Sequence, residues 1–181
     1  GIKICTDTTG IPVSIGHTTS ETTVNDNLTV TGTITGGKYN HQNVTADDVL
    51  TAAESGRLFI FNDADGAILT LPDSGDGSII GTVFNFYIAV TITSNAHKIV
   101  CADTGNEVIH GSLHAIDEDG DASAAIWNAQ ASDGFSAIST NGVTKGKIGS
   151  FITLTNIAAD VWHVRGELVC SGSPATPFAA S

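Results

Sequence analysis

The sequence predicts an all-β protein, in which an extended N-terminal arm with short intertwined strands precedes an antiparallel β-sandwich or jelly-roll-like body. Three observations lead to this fold class. The β-branched residues Thr, Val and Ile are frequent and favour strands. The 20 glycines suit the tight turns between strands. Strand-like segments recur between Gly- and Asp-rich turns, with no long segment of helical period.

The composition changes near residue 45, and this change divides the chain. Large apolar residues are scarce before that point and frequent after it. We therefore expect an arm over residues 1–45 that serves attachment and trimerisation, a β-sandwich body over 46–172, and an irregular C-terminal tail over 173–181.

The arm contains one clear strand pattern, Leu28–Thr35. Leu28, Val30 and Ile34 fall on one face and four threonines on the other, which is the period-2 alternation of a half-buried strand. So little apolar area does not offset a backbone entropy cost of about 1–2 kcal/mol per residue. The arm is therefore either flexible or ordered by other copies of itself, and we predict that these three side chains form a trimer or attachment interface.

The body begins with two expected helical turns. Thr45 is a candidate cap for a turn that includes Asp47 and Asp48, because acidic residues are favourable at a helix start. A second turn over Leu50–Gly56 would end at its glycine. The strands predicted after it are Arg57–Phe61, Ile68–Leu71, Phe84–Ile92 (with one bend or break), Lys98–Ala102, Glu107–Ile109, Ala124–Ala129, Phe135–Ser139, Phe151–Ile157 and Val161–Cys170.

Charge and hydropathy exclude two classes of partner. The 181 residues carry a formal net charge of −12, and charged residues make up only 14% of them. A phosphate-neutralising protein needs the opposite balance, so we expect no nucleic-acid partner. Apolar runs are far shorter than the roughly 20 residues of a membrane-spanning helix, and no signal peptide is visible, so we expect no membrane insertion.

The three cysteines, Cys5, Cys101 and Cys170, cannot all pair within one chain. Cys101 and Cys170 lie in apolar, strand-like runs. Buried free thiols are the simpler expectation, and a disulfide is the alternative.

No nucleophile or phosphate loop emerges from the motifs. Gly142–Ile148 has phosphate-loop character, but its glycine spacing is one residue short and Ile148 replaces the hydroxyl that would bind magnesium. We expect a hairpin turn there. The nucleophile-elbow motif of serine hydrolases is absent from the sequence. A glycosidase carboxylate pair remains open, because sequence does not give the distance between carboxyl groups.

Histidines and acidic turns offer only weak metal patterns, and we predict no metal and no cofactor. His110 and His114 lie four residues apart, which on a strand means about 13–14 Å, too far to share an ion. The cluster Asp117–Asp121 has its glycine in the wrong place for a calcium loop. Asp73 and Asp76 also indicate an exposed acidic turn. One alternative stays open, an ion held on a threefold axis by any of the six histidines or by an acidic cluster.

Two stretches resemble virion proteins of tailed bacteriophages. The first matches the "NLTVTGT" segments of fibre shafts and connectors, which are commonly trimeric. The second is similar to small head decoration (cement) proteins, head fibres and fibre knobs, in which a β-sandwich follows a thin connector. The residues that carry the resemblance are Asn27–Gly36 and, in the body, Leu50–Phe59, Leu69–Pro72, Gly81 and Phe84–Phe86.

The resemblance implies a non-enzymatic virion structural protein without catalytic residues. Its expected role is a homotrimeric capsid decoration protein or stubby head fibre, which binds the major capsid protein or another virion subunit at the virion surface after assembly in the bacterial cytoplasm. The alternative is a tail fibre or receptor-binding knob that recognises a host surface glycan. A carbohydrate-active enzyme or a carbohydrate-binding module, with Trp127 and Trp162 as stacking platforms, is a further alternative; Trp162 shares a face with Val164 and Leu168, which favours the core.

Overall fold

The structure is a computed structural model that describes residues 40–120 and 123–180, and every element in this part of the chain is a strand or a single 3-10 turn. The fold is all-β, as predicted. The strands are β1 His41–Val44, β2 Asp48–Val49, β3 Leu58–Phe61, β4 Ile68–Thr70, β5 Val83–Ile88, β6 Lys98–Val100, β7 Val108–Asp117, β8 Ala125–Ala129, β9 Ala137–Ser139, β10 Phe151–Ala158, β11 Val161–Cys170 and β12 Phe178–Ala179; the 3-10 turns are Ala52–Glu54 and Ala131–Asp133.

The strands form two mixed sheets. The seven-stranded sheet has the order β1-β3-β5-β10-β11-β7-β8, and the five-stranded sheet has the order β12-β9-β6-β4-β2. Half of the pairings are parallel, so the expectation of purely antiparallel pairing was wrong. Four of the five parallel pairings lie among the first six strands, which alternate between the two sheets. Each returns to its sheet beside its predecessor and in the same direction, so the chain winds as a short coil.

The beginning and the end of the body differ from the sequence prediction. No helical turn forms around Asp47 and Asp48, because their carboxylates accept backbone N–H groups: Asp47 from Ile68 at 2.8 Å and Asp48 from its neighbour Val49 at 2.9 Å. Strand β1 pairs with β3 in the seven-stranded sheet, although the sequence placed it in the arm. At the other end, Phe178 and Ala179 of the expected irregular tail pair with β9.

Other local predictions were confirmed or corrected in detail. The turn over Leu50–Gly56 exists as the 3-10 turn Ala52–Glu54, and the Glu54 carboxylate accepts the Thr51 N–H at 2.8 Å. The strand predicted over Phe84–Ile92 is shorter than expected: β5 covers Val83–Ile88, and residues 89–92 belong to no strand. Gly142–Ile148 is not a hairpin turn, since the strands on either side of it, β9 and β10, belong to different sheets.

Both sheets contribute to one hydrophobic core. Alternate residues of β5 and β11 point inwards, and Phe84 stacks on Trp162 with ring centroids 5.8 Å apart. Leu69 and Ile138 of the five-stranded sheet belong to the same buried cluster. Burying each such large side chain contributes roughly 1.5–3 kcal/mol, so this shared core is the main source of stability for the body.

The parallel pairing of β7 with β11 depends on a glycine. Gly111 lies opposite Val164 with a φ of 124°, and a Cβ at this position would lie 2.1 Å from the Val164 carbonyl oxygen. Only a residue without a side chain allows the two backbones to approach this closely.

We predict that Gly111→Ala lowers the free energy of unfolding by about 3 kcal/mol or more, because the new methyl group would push two paired strands apart. Gly134→Ala is the matched control: Gly134 also has a positive φ, 64°, but no atom lies within 4 Å of the point that a methyl group would occupy there. Its cost should stay near 1–2 kcal/mol, about that of a left-handed backbone alone. Denaturant unfolding measures both, and equal losses would show that the close approach is not the constraint.

Candidate functional site

The predicted interface residues Leu28, Val30 and Ile34 lie outside the described residues, as does the rest of the predicted arm up to residue 39. The body itself offers two candidate surfaces. One is an acidic depression formed by loops at one end of the sheets. The other is the outer face of the seven-stranded sheet.

A buried carboxylate organises the acidic end. Glu107 is 1% exposed and directly precedes β7. Its Oε1 accepts the Ser74 N–H at 2.8 Å and the Ser74 hydroxyl at 2.5 Å, and its Oε2 accepts the Asp103 N–H at 2.8 Å. The Trp162 indole N–H lies 3.4 Å from Oε1. These bonds hold the loops after β4 and β6 against the start of β11, and charge-assisted bonds of this kind are stronger than neutral ones.

Four aspartates line a depression of about 500 Å³ formed by these two loops and the turn between β10 and β11. Asp73 and Asp160 lie close together, because one point, the Cβ position of a side chain at Gly75, is 3.2 Å from Oδ1 of Asp73 and 3.3 Å from Oδ1 of Asp160. Asp76 and Asp103 also line the depression, together with Gly75, Ser78 and Asn106. The sequence analysis found the turn with Asp73 and Asp76, but it did not join the other two aspartates to them.

Three of these aspartates, Asp73, Asp76 and Asp103, accept hydrogen bonds within their own turns. Ser78 donates hydrogen bonds to Asp76 and lowers the pKa of that carboxyl group. The Asn106 amide and the Gly105 N–H do the same for Asp103. The described residues contain no group of three or more His, Cys, Asp or Glu side chains placed to hold a metal ion. The arrangement therefore shapes the loops and gives this end a negative charge.

The histidines are separated by the fold. His97 is buried, its Nδ1 accepts the Ala67 N–H at 3.2 Å, and its ring stacks on Phe61 with centroids 4.5 Å apart. Burial lowers the pKa of His97, and the charge of Asp63 opposes this effect only partly. By contrast, His110 and His114 of β7 both face outwards from the seven-stranded sheet, as expected for a strand spacing of four.

Cys101 and Cys170 are buried free thiols, as the simpler sequence interpretation predicted. Burial, aided by the charge of Glu107, raises the pKa of Cys101 to about 12. Burial also raises the pKa of Cys170, whose thiol donates to the Thr144 carbonyl at 3.2 Å. A thiol that stays protonated is a poor nucleophile, so neither cysteine is suited to covalent catalysis.

The outer face of the seven-stranded sheet carries an unusual row of side chains. The strand registers place Tyr87, Phe151, Glu167, His114 and Ile126 next to one another across five strands. Phe151 is 41% exposed and Ile126 is 69% exposed. A shallow depression of about 360 Å³ lies within this face, lined by Ser112, His114, Phe151, Thr153, Arg165, Gly166 and Glu167.

The tryptophans that the sequence offered as stacking platforms do not supply this aromatic surface. Trp162 is fully buried, as its strand pattern predicted. Trp127 faces inwards opposite Leu113 and packs against the core. The sequence analysis missed the exposed ring of Phe151, because a phenylalanine at a strand start is ordinarily taken for a core residue.

Neither a protein-family model, nor a curated protein, nor a solved structure matches this chain. Among the described residues, no helix has the length and apolar character needed to cross a membrane.

We predict that Glu107→Gln lowers the free energy of unfolding by about 2–4 kcal/mol. The amide replaces an acceptor oxygen by a donor, which leaves buried N–H or O–H groups of Ser74 and Asp103 without an acceptor. Glu167→Gln is the control, since Glu167 is exposed, and its effect should stay within about 0.5 kcal/mol. Chemical denaturation measures the free energy of unfolding of both variants. If Glu107→Gln unfolds with the wild-type free energy, the hydrogen bonds to Glu107 do not hold the loops.

We also predict that acid weakens the body through His97. The pKa of His97 in the folded protein lies below the ordinary 6.5. Below pH 6.5 the unfolded chain therefore binds a proton at His97 more readily than the folded chain does. Stability is thus retained above pH 6.5 and lost as the pH falls, by up to about 1.4 kcal/mol per pH unit. His97→Asn, which retains an acceptor for the Ala67 N–H, should flatten this slope between pH 7.5 and 5.5.

The control for this prediction is His163→Asn, a change at an exposed position of β11. It should leave the slope of unfolding free energy against pH unchanged. A wild-type slope that survives in His97→Asn would assign the acid sensitivity to another group.

Proposed function

We propose that this chain is a non-enzymatic structural protein of a tailed-bacteriophage virion: a trimeric capsid decoration (cement) protein or stubby head fibre that binds and stabilises the assembled shell. The finer architecture belongs to the same proposal, with a sandwich-like body that covers or projects and an N-terminal arm that attaches and trimerises. Its partners are two further copies of itself and the major capsid protein or another virion subunit.

One observation carries the proposal: the sequence repeats apolar residues at Leu28, Val30 and Ile34 on one face of the predicted arm strand, and the described body has a buried core of its own. The buried cluster draws its members from both sheets of the body. Closed cyclic symmetry would give the predicted stripe of each copy an identical surface against which to bury it.

The body supports a binding role more than a catalytic one. Asp73, Asp76 and Asp103 at the acidic end accept hydrogen bonds within their own turns, and burial raises the pKa of both described thiols. A broad exposed sheet face is a feature of a protein that works by contact. A protein that binds only the assembled shell stabilises it by RT ln(1 + [L]/Kd) for each site, which is how cement proteins would act.

A second function, recognition of a host surface glycan by a fibre knob, is favoured by a different observation. The outer face of the seven-stranded sheet exposes the ring of Phe151 among polar side chains. The two functions are compatible, because one concerns the arm and the other the body.

We predict that Val30→Asp reduces the trimer fraction at least about tenfold at a fixed protein concentration, because a buried charge would oppose the association of the arms. Thr31→Asp adds the same charge one residue further on, on the opposite face of the predicted strand, and should leave the trimer intact. Sedimentation velocity measures the assembly state of both.

Shell binding is tested with the same two variants, by cosedimentation with purified heads of the phage that encodes the chain. Wild type and Thr31→Asp should sediment with the heads, and Val30→Asp should remain in the supernatant. If Val30→Asp forms trimers and occupies the heads as the wild type does, the stripe is not the interface and the proposal fails.

A further inference from the structure

The depression around Phe151 lies on central strands of the seven-stranded sheet. It spans β10, β11 and β7, and each of these strands is paired on both sides. Within the described part of the chain, Phe151, Arg165 and Glu167 are all exposed here. A surface on central strands is more rigid than one on loops, and preorganised groups bind with a smaller entropy cost.

Phe151 presents an aromatic face where a soluble protein ordinarily places a polar side chain. Its residue is 41% exposed, and its register neighbours are Tyr87 on one side and Glu167 on the other. Leaving a phenylalanine in water forgoes part of the roughly 1.5–3 kcal/mol that its burial would contribute. A ligand that covers the ring recovers this free energy.

The polar groups around the ring are uncommitted. Arg165, Glu167 and His114 form no side-chain hydrogen bond or ion pair with any other described residue. Their neighbour Thr153 differs, because its hydroxyl bonds to the Asn85 side chain at 3.0 Å. The depression therefore combines an apolar ring with free donors, on Arg165, and free acceptors, on Glu167.

We propose that this depression is a binding site for a neutral, hydroxyl-rich glycan. A sugar hydroxyl both donates and accepts hydrogen bonds, so it matches a mixed set of donors and acceptors. The C–H face of a pyranose ring packs on an aromatic ring, which here is Phe151. The charges of Arg165 and Glu167 offset each other within the depression, and the net charge of −12 repels an anionic glycan, which favours the neutral class.

The site deepens the glycan-recognition role and does not depend on shell binding. Its residues lie in the body, whereas the proposed trimer stripe lies in the arm. Failure of glycan binding therefore leaves the shell proposal standing, and failure of trimerisation leaves this site standing.

The test is titration of the full chain with defined oligosaccharides by NMR or calorimetry. The neutral probes are maltohexaose, mannohexaose and a galactan hexamer, and a polygalacturonate hexamer is the anionic probe. We expect a neutral probe to bind, and Phe151→Ala and Arg165→Gln each to weaken that binding at least about tenfold. Phe151→Leu retains apolar volume without the aromatic ring and should also bind weakly while melting like the wild type.

Ile157→Ala is the matched control. Ile157 lies on the same strand as Phe151, is 49% exposed, and is six residues away, or about 20 Å. The affinity of the Ile157→Ala variant for the neutral oligosaccharide should stay within about twofold of the wild-type affinity. Absence of binding to every probe, binding of the anionic probe alone, or equal binding by Phe151→Leu and wild type would overturn the proposal. A Phe151→Leu variant that alters the sedimenting species without altering glycan affinity would assign the face to a protein contact instead and would also overturn it.

Discussion

The parallel pairing of β7 with β11 is the constraint on which the body depends. It runs over ten residue pairs, from Val108 beside Val161 to Asp117 beside Cys170. Strand β7 follows the coiled first half of the chain, and β11 belongs to the hairpin that comes near its end. The pairing therefore joins two halves that are distant in sequence, and the missing side chain of Gly111 allows the backbones to meet.

Glu107 secures the start of this pairing and thereby shapes the acidic end. The residue directly precedes β7, and its carboxylate collects donors from two loops and from Trp162 of β11. A buried charge without a cation needs several well-placed donors, and the two loops provide them. The acidic loops are thus positioned by the core, whereas the outer face around Phe151 is positioned by the sheet ladder. Two different sources of rigidity underlie the two candidate surfaces.

Period-2 alternation predicted the strands well wherever one face is buried. Val161–Cys170 was predicted with the bounds that the structure gives, because Trp162, Val164, Leu168 and Cys170 fall on one face of a period-2 pattern. Strand β7 was predicted too short, since Gly111 and Ser112 interrupt its apolar pattern. Strand direction is a different matter. Alternation shows which face of a strand is buried, but it does not show which strand it pairs with. The turns of the coil have unequal lengths, so the sequence contains no regular repeat from which the parallel pairing could be predicted.

The candidate surfaces were less predictable than the core for the same reason. Asp73 and Asp160 are far apart in sequence and meet only through tertiary folding. Phe151 has the residue type of a core position and the register of an outer one. Local patterns constrain which residues are buried, whereas a surface is a product of how distant strands are aligned.

The brevity of β2 has a consequence for how this protein behaves at high concentration. A sheet edge with free N–H and C=O groups is a template for further strands and hence for fibrillar aggregation. Here the last strand of the five-stranded sheet contains two residues, and the Asp48 carboxylate already accepts the Val49 N–H. A negative charge set into so short an edge discourages another chain from stacking there. The short, charged β2 edge therefore disfavours the addition of strands from other copies of this strand-rich chain.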